Sequence, residues 1–500
     1  MNREVSIRAV LRSSAIMGSA SVVNVVFGLI RTKVSAALLG PAGIGIIGLL
    51  QSIMNVATTL VGFGMGRAGT RQIAAAATNN ETLRLARRAL SLVTSVTALL
   101  GGVVFFLCRS EFAARIADDP HLAPALGWLG LGVALTVASA SQGAQLQGLR
   151  RIDELARLQI LSAIVSTLLG VAALLTWQED GIVPFLLSAP LASFLLGHWY
   201  VSRLKLPATK HSNLQLLVQQ WRDLARIGAA SMASSLVASI SVLVTRSIVQ
   251  HQLGAGELGQ YQAAWAISMT YLGLVLSAMT TDFYPRLSAV IDDHREATRL
   301  INEQIEVALL LGGPLLIGMM ALAPLTVELL YSEEFAVAAG ILRWQVLGDV
   351  LKITSWPLAV ALLASGASRA MVTAELCAAL TFVLAVWTGL PYLGIEATGP
   401  AFLAMYTVHL PVTLLLVRKR LRFTCSAASK QQGSVVAVTA MLVKLLAIQS
   451  ELAAALLGCS AAAVLGFYSI ERLSKMSGLR SPVRMLVGRI HKRVNRRHRD

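Results

Sequence analysis

Apolar stretches, most of them long enough for five or more helical turns, alternate with short polar, glycine- or proline-containing breaks along nearly the whole chain. They fall at 13–39, 41–66, 89–108, 122–147, 157–177, 182–201, 227–252, 258–281, 303–330, 338–364, 371–390, 399–417, 434–449 and 452–470, fourteen runs in all. A helix needs about 20 mostly apolar residues to cross a hydrocarbon core, so each run predicts a transmembrane helix. The run at 434–449 is short and contains Lys444, so a re-entrant or tightly packed hairpin is the alternative for the last pair. Unbroken runs exclude a transmembrane β-barrel, whose strands alternate polar and apolar residues over about ten positions.

Composition agrees. The chain is 55% apolar and 14% charged with a mean hydropathy of +0.66, whereas soluble domains carry about 25% charged residues. The N-terminal run resembles a signal peptide, but more membrane runs follow it, so it is read as an uncleaved first span. Four cysteines, at 108, 377, 425 and 459, share no metal-binding spacing and are read as packing residues.

The net charge of +17 would point to nucleic acid in a soluble protein. In a membrane protein it has another source, because cytoplasmic loops concentrate Lys and Arg. With the N-terminus inside, only Arg109 and Arg115 of the 43 basic residues fall in outside loops. The expected topology is therefore N-in and C-in, in a bacterial inner membrane, with membrane lipids rather than nucleic acid as the surroundings.

The chain also carries an internal repeat. Setting Arg12 against Arg226 places Gly40 on Gly254 and Gly45 on Gly259, all at one constant offset. In both copies a long first helix ends in Leu-Gly before a hinge and a second helix. Six runs separate the copies, so both cross in the same direction. Parallel repeats of this kind build two-lobed transporters related by an axis along the membrane normal, with the site in the cleft between lobes. The expected fold is an all-α polytopic membrane protein of two six-helix lobes, residues 1–205 and 206–433. An extra helix pair at 434–470 and a basic tail at 471–500 complete it.

Charges inside the runs carry the functional information, since a charge at the bilayer centre costs about 2.5–3.5 kcal/mol on the translocon scale. The candidates are Arg31, Lys33, Arg246, Arg343, Lys352, Asp349 and Glu375. Arg31 and Lys33 lie about 27–30 Å along the first helix and either snorkel to the outer headgroups or line a cavity. The repeat, which sets Arg246 one residue from Arg31, favours the cavity. Asp349 and Lys352 are three residues apart and neutralise each other on one helix face, leaving Arg343 uncompensated. Such cations in a cleft predict an anionic substrate, most simply a phosphate or diphosphate, which Arg meets with a planar fork. Trp344, Trp356 and Tyr261 are candidates for stacking on sugar rings or for the interfacial belt. Asp349 or Glu375 is the candidate for ion coupling. Glu303, Glu306 and Asp282 read as interfacial. No nucleotide-binding loop or zinc motif is present in the sequence. The expectation is a transporter rather than an enzyme, with no cofactor, catalytic residue or metal. In the tail, 481–494 has the pattern of a basic amphipathic helix on an anionic leaflet.

The segments LLGPAGIGIIGLLQSIMN (38–55), LQGLRRIDELARLQI (146–160) and LRWQVLGDVLKITSWPLAVALLA (342–364) resemble those of bacterial O-antigen translocases. These are the Wzx-type flippases of the multidrug/oligosaccharidyl-lipid/polysaccharide exporter superfamily, and the likeness is greatest to the enterobacterial common antigen subgroup. The resemblance covers roughly residues 5–420. It implies alternating access and movement of an undecaprenyl-diphosphate-linked oligosaccharide from the inner to the outer leaflet, with a polysaccharide polymerase and chain-length regulator as partners. The pair at 434–470 departs from that subgroup and is similar to related branches that include the lipid II flippase. The rival expectations are a cation-coupled drug exporter, which calls for an acidic cleft, and a non-transporting scaffold.

Overall fold

The computed structural model describes residues 3–77, 79–204 and 214–476, and among these every regular element is a helix. Hydrocarbon offers the backbone no water, so each apolar run must close its own hydrogen bonds. The first seven helices are α1 (Arg3–Gly62), α2 (Met65–Ala76), α3 (Asn80–Leu107), the short α4 (Arg109–Phe112), α5 (Ala123–Gly148), α6 (Ile152–Trp177) and α7 (Ile182–Ser202). They are followed by α8 (Leu214–Ala289), α9 (His294–Ala321), α10 (Ala323–Leu330), α11 (Ala336–Ala364), α12 (Ser368–Leu393), α13 (Thr398–Leu421), α14 (Ala427–Gln449) and α15 (Glu451–Met476).

Among the described residues, ten stretches are long and apolar enough to cross a membrane. Four of them, Ile16–Ala76, Ile152–Ser202, Met232–Gly273 and Ser368–Leu421, hold two predicted runs each. Two runs end differently from expectation. The run at 41–66 stops at Gly62, because Phe63 and Gly64 turn the chain at positive φ (44° and 66°) and release α2 as a separate amphipathic helix. The run at 303–330 breaks at Leu322, and Pro324 sits in the first turn of α10, where its missing N–H is tolerated. The basic helix expected at 481–494, most of the polar linker at 210–215 and the side chain of Asp282 lie outside the described residues.

By its contacts the chain forms two compact units. Unit 1 comprises Met1–Ala263, Glu328–Ala336 and Phe382–Ile395, and unit 2 comprises Ala264–Val327, Val337–Thr381 and Glu396–Asp500. Within unit 1 the internal repeat has a physical counterpart. Both α1 and α8 are single long helices interrupted at one residue, Gly40 (φ 60°) and Gly254 (φ 83°), the two glycines that the repeat aligns. Only glycine takes that conformation without strain. Beyond the kinks the two helices cross backbone to backbone. A Cβ on Gly45 would strike the Ala255 carbonyl, and one on Gly259 would strike that of Pro41. Pro41 and Ala255 stand at the same offset as the glycines, so the two contacts exchange under the repeat. Gly48 faces Gln262, its own repeat equivalent, with 2.7 Å left for a Cβ.

In unit 2 the added pair α14 and α15 packs on α9. Gly313 lies under Val436 and Gly458 under Ala321, the small-residue packing by which membrane helices approach closely. Polar pins hold both ends. Arg472 Nε reaches Glu306 Oε1 at 2.8 Å, and Gln432 Nε2 donates to the same oxygen at 3.2 Å. At the other end Arg343 grips Glu451 through two nitrogens, at 2.8 and 2.5 Å.

Candidate functional site

The second half of α1 presents Gln51, Asn55 and Thr58 at intervals of four and three, hence on one helix face. That face, with the first half of α1, α5 and α7, encloses a cavity of about 510 Å³ in unit 1. Its wall is rich in uncharged hydrogen-bonding groups: besides those three, Thr32, Ser35, Thr136, Ser139, Ser193 and Gln262 line it. Gln262 Oε1 is buried without a hydrogen-bond partner. A single charged side chain, Arg31, reaches this wall.

Arg31 is held by α6 and α7. One guanidinium nitrogen donates to the Phe185 carbonyl, and the group lies 3.9 Å from the centre of the Phe185 ring. Gly170 makes the room, since a Cβ there would come within 3.6 Å of the guanidinium carbon. No carboxylate lies within salt-bridge distance of Arg31 among the described residues. A fixed cation without a counter-ion, facing amides and hydroxyls, suits an oxyanion attached to a polyhydroxylated group.

The other expected cavity cations have protein partners. Lys33 donates to the carbonyls of Glu328 and Tyr331, at 3.1 and 2.5 Å, so it caps the C-terminal end of α10 instead of facing the cavity. Arg246, 5% exposed, donates to the Gly48 carbonyl at 2.7 Å and to Ser52 Oγ. It ties the two repeat copies together where they cross. Arg343 does not stand uncompensated, as the sequence suggests when only Asp349 is near it. Glu451, 108 residues away on α15, neutralises it. Of the expected stacking aromatics, Trp344 carries Lys444 over its ring at 4.9 Å, Trp356 packs on Phe283, and Tyr261 is fully buried.

Unit 2 holds a separate buried cluster. Asp349, with no exposure, accepts from Ser268 Oγ at 2.7 Å and Tyr271 at 2.5 Å through one oxygen. Its other oxygen has no hydrogen bond and lies 3.9 Å from Lys352 Nζ. The expected pairing of these two is thus loose. Lys352 also touches Met269 Sδ at 3.3 Å and lies near the rings of Phe402 and Tyr406. On the neighbouring helices His409 Nε2 is 4.0 Å from Glu375, while its Nδ1 meets Ser355 Oγ at 3.3 Å.

Two sets of residues escape a reading of the sequence for charge. Neutral polar side chains such as Gln51 and Gln262 carry no charge penalty and stand out in no hydropathy profile, although the spacing of Gln51, Asn55 and Thr58 is a usable signal. His409 and Tyr406, three apart on α13, are the other. A larger hollow in unit 1, about 1240 Å³, is mostly apolar and edged by Asp119, Glu179 and Asp180, which repel a phosphate. No group of three metal-binding side chains occurs among the described residues.

The fold is that of the multidrug and lipid-flippase transporters. The lipid II flippase MurJ in an inward closed conformation superposes with a TM-score of 0.70 at 14% identity, over 92% of this chain and 99% of that one. An inward-facing MATE-family multidrug transporter gives 0.69 at 15% identity, over 84% and 99%. In sequence, residues 34–340 match the polysaccharide biosynthesis protein family, and the chain belongs to it. Among relatives, the lipid III flippase of Escherichia coli K12 is 23% identical over 82% of this chain and 99% of its own length. The lipopolysaccharide biosynthesis protein WzxC of the same organism is 21% identical over 71% and 70%.

Proposed function

We infer that this protein is a Wzx-type flippase that moves a lipid-linked oligosaccharide between membrane leaflets, with undecaprenyl diphosphate as the carrier. The observation that carries the reading is Arg31, an unpaired guanidinium in a cavity of amides and hydroxyls, which matches a diphosphate joined to sugars. Relatives that carry flippase names along their whole length support the same class. The acidic cleft that a cationic drug calls for is not the chemistry of this cavity. The charge bias of the loops supports an N-in, C-in orientation in a bacterial inner membrane, so the cargo starts on the cytoplasmic side. The lobes are 1–205 and 206–433, and a polymerase and chain-length regulator are the expected protein partners.

Within this reading Arg31 holds the diphosphate, and Lys33, Arg246 and Arg343 serve the scaffold. Asp349 and Glu375 face one lysine and one histidine, so the cluster gains electroneutrality by taking up one proton. That makes it the candidate for coupling, with Lys352 as its fixed cation. The test is deletion of the gene followed by complementation. Wild type clears the undecaprenyl-diphosphate glycan from the inner leaflet and Arg31→Gln leaves it there. Full clearance by Arg31→Gln at normal protein level rejects the reading.

A further inference from the structure

A second hollow of unit 1, about 280 Å³, opens beside the Arg31 cavity. Thr58 and Thr136 line both, so the two hollows share a wall that carries a pair of hydroxyls. The far wall of the second hollow is the start of α2: Gly64, Met65, Gly66 and Arg67. The first backbone N–H groups of a helix have no partner within it, and the helix dipole adds positive potential there. Here the N-cap is Gly64, which offers no capping side chain, and the first turn holds no acid. Arg67, exposed, has no carboxylate partner among the described residues.

A second feature points independently to a ligand. Ser141 of α5 is 5% exposed, lines the same hollow, and its hydroxyl has no hydrogen-bond partner among the described residues. A buried serine on a helix ordinarily donates to a carbonyl of the preceding turn, as Thr136 does to Gly132 and Thr94 to Leu90 in the same wall. Ser141 is left with its donor for whatever occupies the space. The wall is also closely packed. Met65, Ala68 and Ile73 of α2 are buried with Leu83, Ala86 and Leu90 of α3 and Ala144 of α5. Gly69 lies against Leu90, where a Cβ would meet it at 2.8 Å. The helix start is therefore held in place, and Gly66 has nothing within 4 Å of the position of a Cβ.

We propose that the start of α2, with Arg67 and Ser141, is a loading site for the diphosphate of the cargo, from which it passes along Thr58 and Thr136 to Arg31. The proposal rests on the flippase reading and adds a second, earlier anion site to it. The backbone N–H groups of Met65, Gly66 and Arg67 bind the phosphate oxygens, as helix starts do in other phosphate sites. Arg67 supplies the charge that the neutral wall lacks, and Ser141 donates the remaining hydrogen bond. Two sources of phosphate could fill such a site, the cargo's diphosphate or an anionic phospholipid headgroup, and the proposal commits to the first.

The test measures binding of farnesyl diphosphate to the full-length protein in nanodiscs of phosphatidylcholine alone and of phosphatidylcholine with phosphatidylglycerol. Arg67→Gln should weaken binding about tenfold, in line with the loss of one charge-assisted hydrogen bond, and Ser141→Ala a few-fold. Gly66→Asp is the sharper variant. A carboxylate in the first turn stabilises a helix and the space is open, so the protein keeps its melting temperature while anion binding is lost. Wild-type affinity in both Arg67→Gln and Gly66→Asp overturns the loading site, whatever Arg31→Gln does. If only Arg31→Gln loses affinity, the flippase reading stands without it. If Arg31→Gln too binds normally, the flippase reading itself fails. Effects of Arg67→Gln that are confined to discs with phosphatidylglycerol make a phospholipid the occupant and overturn the proposal as well.

Discussion

The Arg31 cavity of unit 1 and the Asp349 cluster of unit 2 handle charge in opposite ways. In the first, one guanidinium stands among neutral amides and hydroxyls, tethered only to a carbonyl and a ring face. In the second, two carboxylates, a lysine and a histidine are drawn from three helices and answer one another across gaps of 3.9 and 4.0 Å. An unanswered charge in a low-dielectric site attracts an external counter-ion. A set of charges that nearly cancels is suited instead to holding or exchanging a single proton. Ion pairs buried in apolar surroundings also bind weakly at best, because desolvation offsets their attraction. Under the proposed function, the first arrangement suits cargo recognition and the second suits coupling.

The largest expected effect breaks that contrast at its source. Arg31→Gln should cut diphosphate binding about 10- to 100-fold, the equivalent of a lost charge-assisted hydrogen-bond set, with an unchanged melting profile. Undiminished binding would count against the flippase reading that rests on Arg31. The other side of the comparison is probed by Glu375→Gln, which should leave farnesyl diphosphate affinity intact while abolishing the response of reconstituted flipping to a pH gradient. An intact pH response would remove the cluster from coupling. Next comes Arg246→Gln, which should behave as a scaffold change. It removes the guanidinium that donates to the Gly48 carbonyl and to Ser52 Oγ, leaving only the bond from the Ser52 hydroxyl to that carbonyl, at a cost of about 1–3 kcal/mol of stability, and any loss of binding should track the loss of folded protein. The two repeat-related glycines offer a further test. Gly45→Val and Gly259→Val overpack equivalent crossings and should each cost about 1–3 kcal/mol. Unequal melting shifts for the two would argue against the repeat as the source of the crossing. The smallest effect is expected from Glu451→Gln. Its carboxylate is 60% exposed, so the loss is about 1 kcal/mol, read as loosening of α15 by hydrogen exchange with transport preserved.

Much of the fold was legible beforehand because the bilayer imposes one rule on every segment: an apolar run must become a helix. The runs at 13–39 and 41–66 therefore needed no partner to be recognised, and the kink between them was marked by Leu-Gly-Pro. The site was legible only in part. Arg31 could be singled out by its cost in hydrocarbon, yet the same cost singled out Lys33, Arg246 and Arg343, and nothing local separates a cavity cation from a scaffold cation. Glu451 neutralises Arg343 across 108 residues of sequence, which no periodicity reveals.

The sequence by itself determined the solvent, the helical class, the repeat with its two hinge glycines, and a short roster of charged candidates that includes Arg31. Those follow from composition and local pattern, which act within a turn or a span. Tertiary structure decided which charges are satisfied. Whether a guanidinium meets a carboxylate, a carbonyl or an empty cavity depends on side chains brought together from distant helices. Among the cations it placed in the runs of unit 1, the structure left Arg31 facing the cavity.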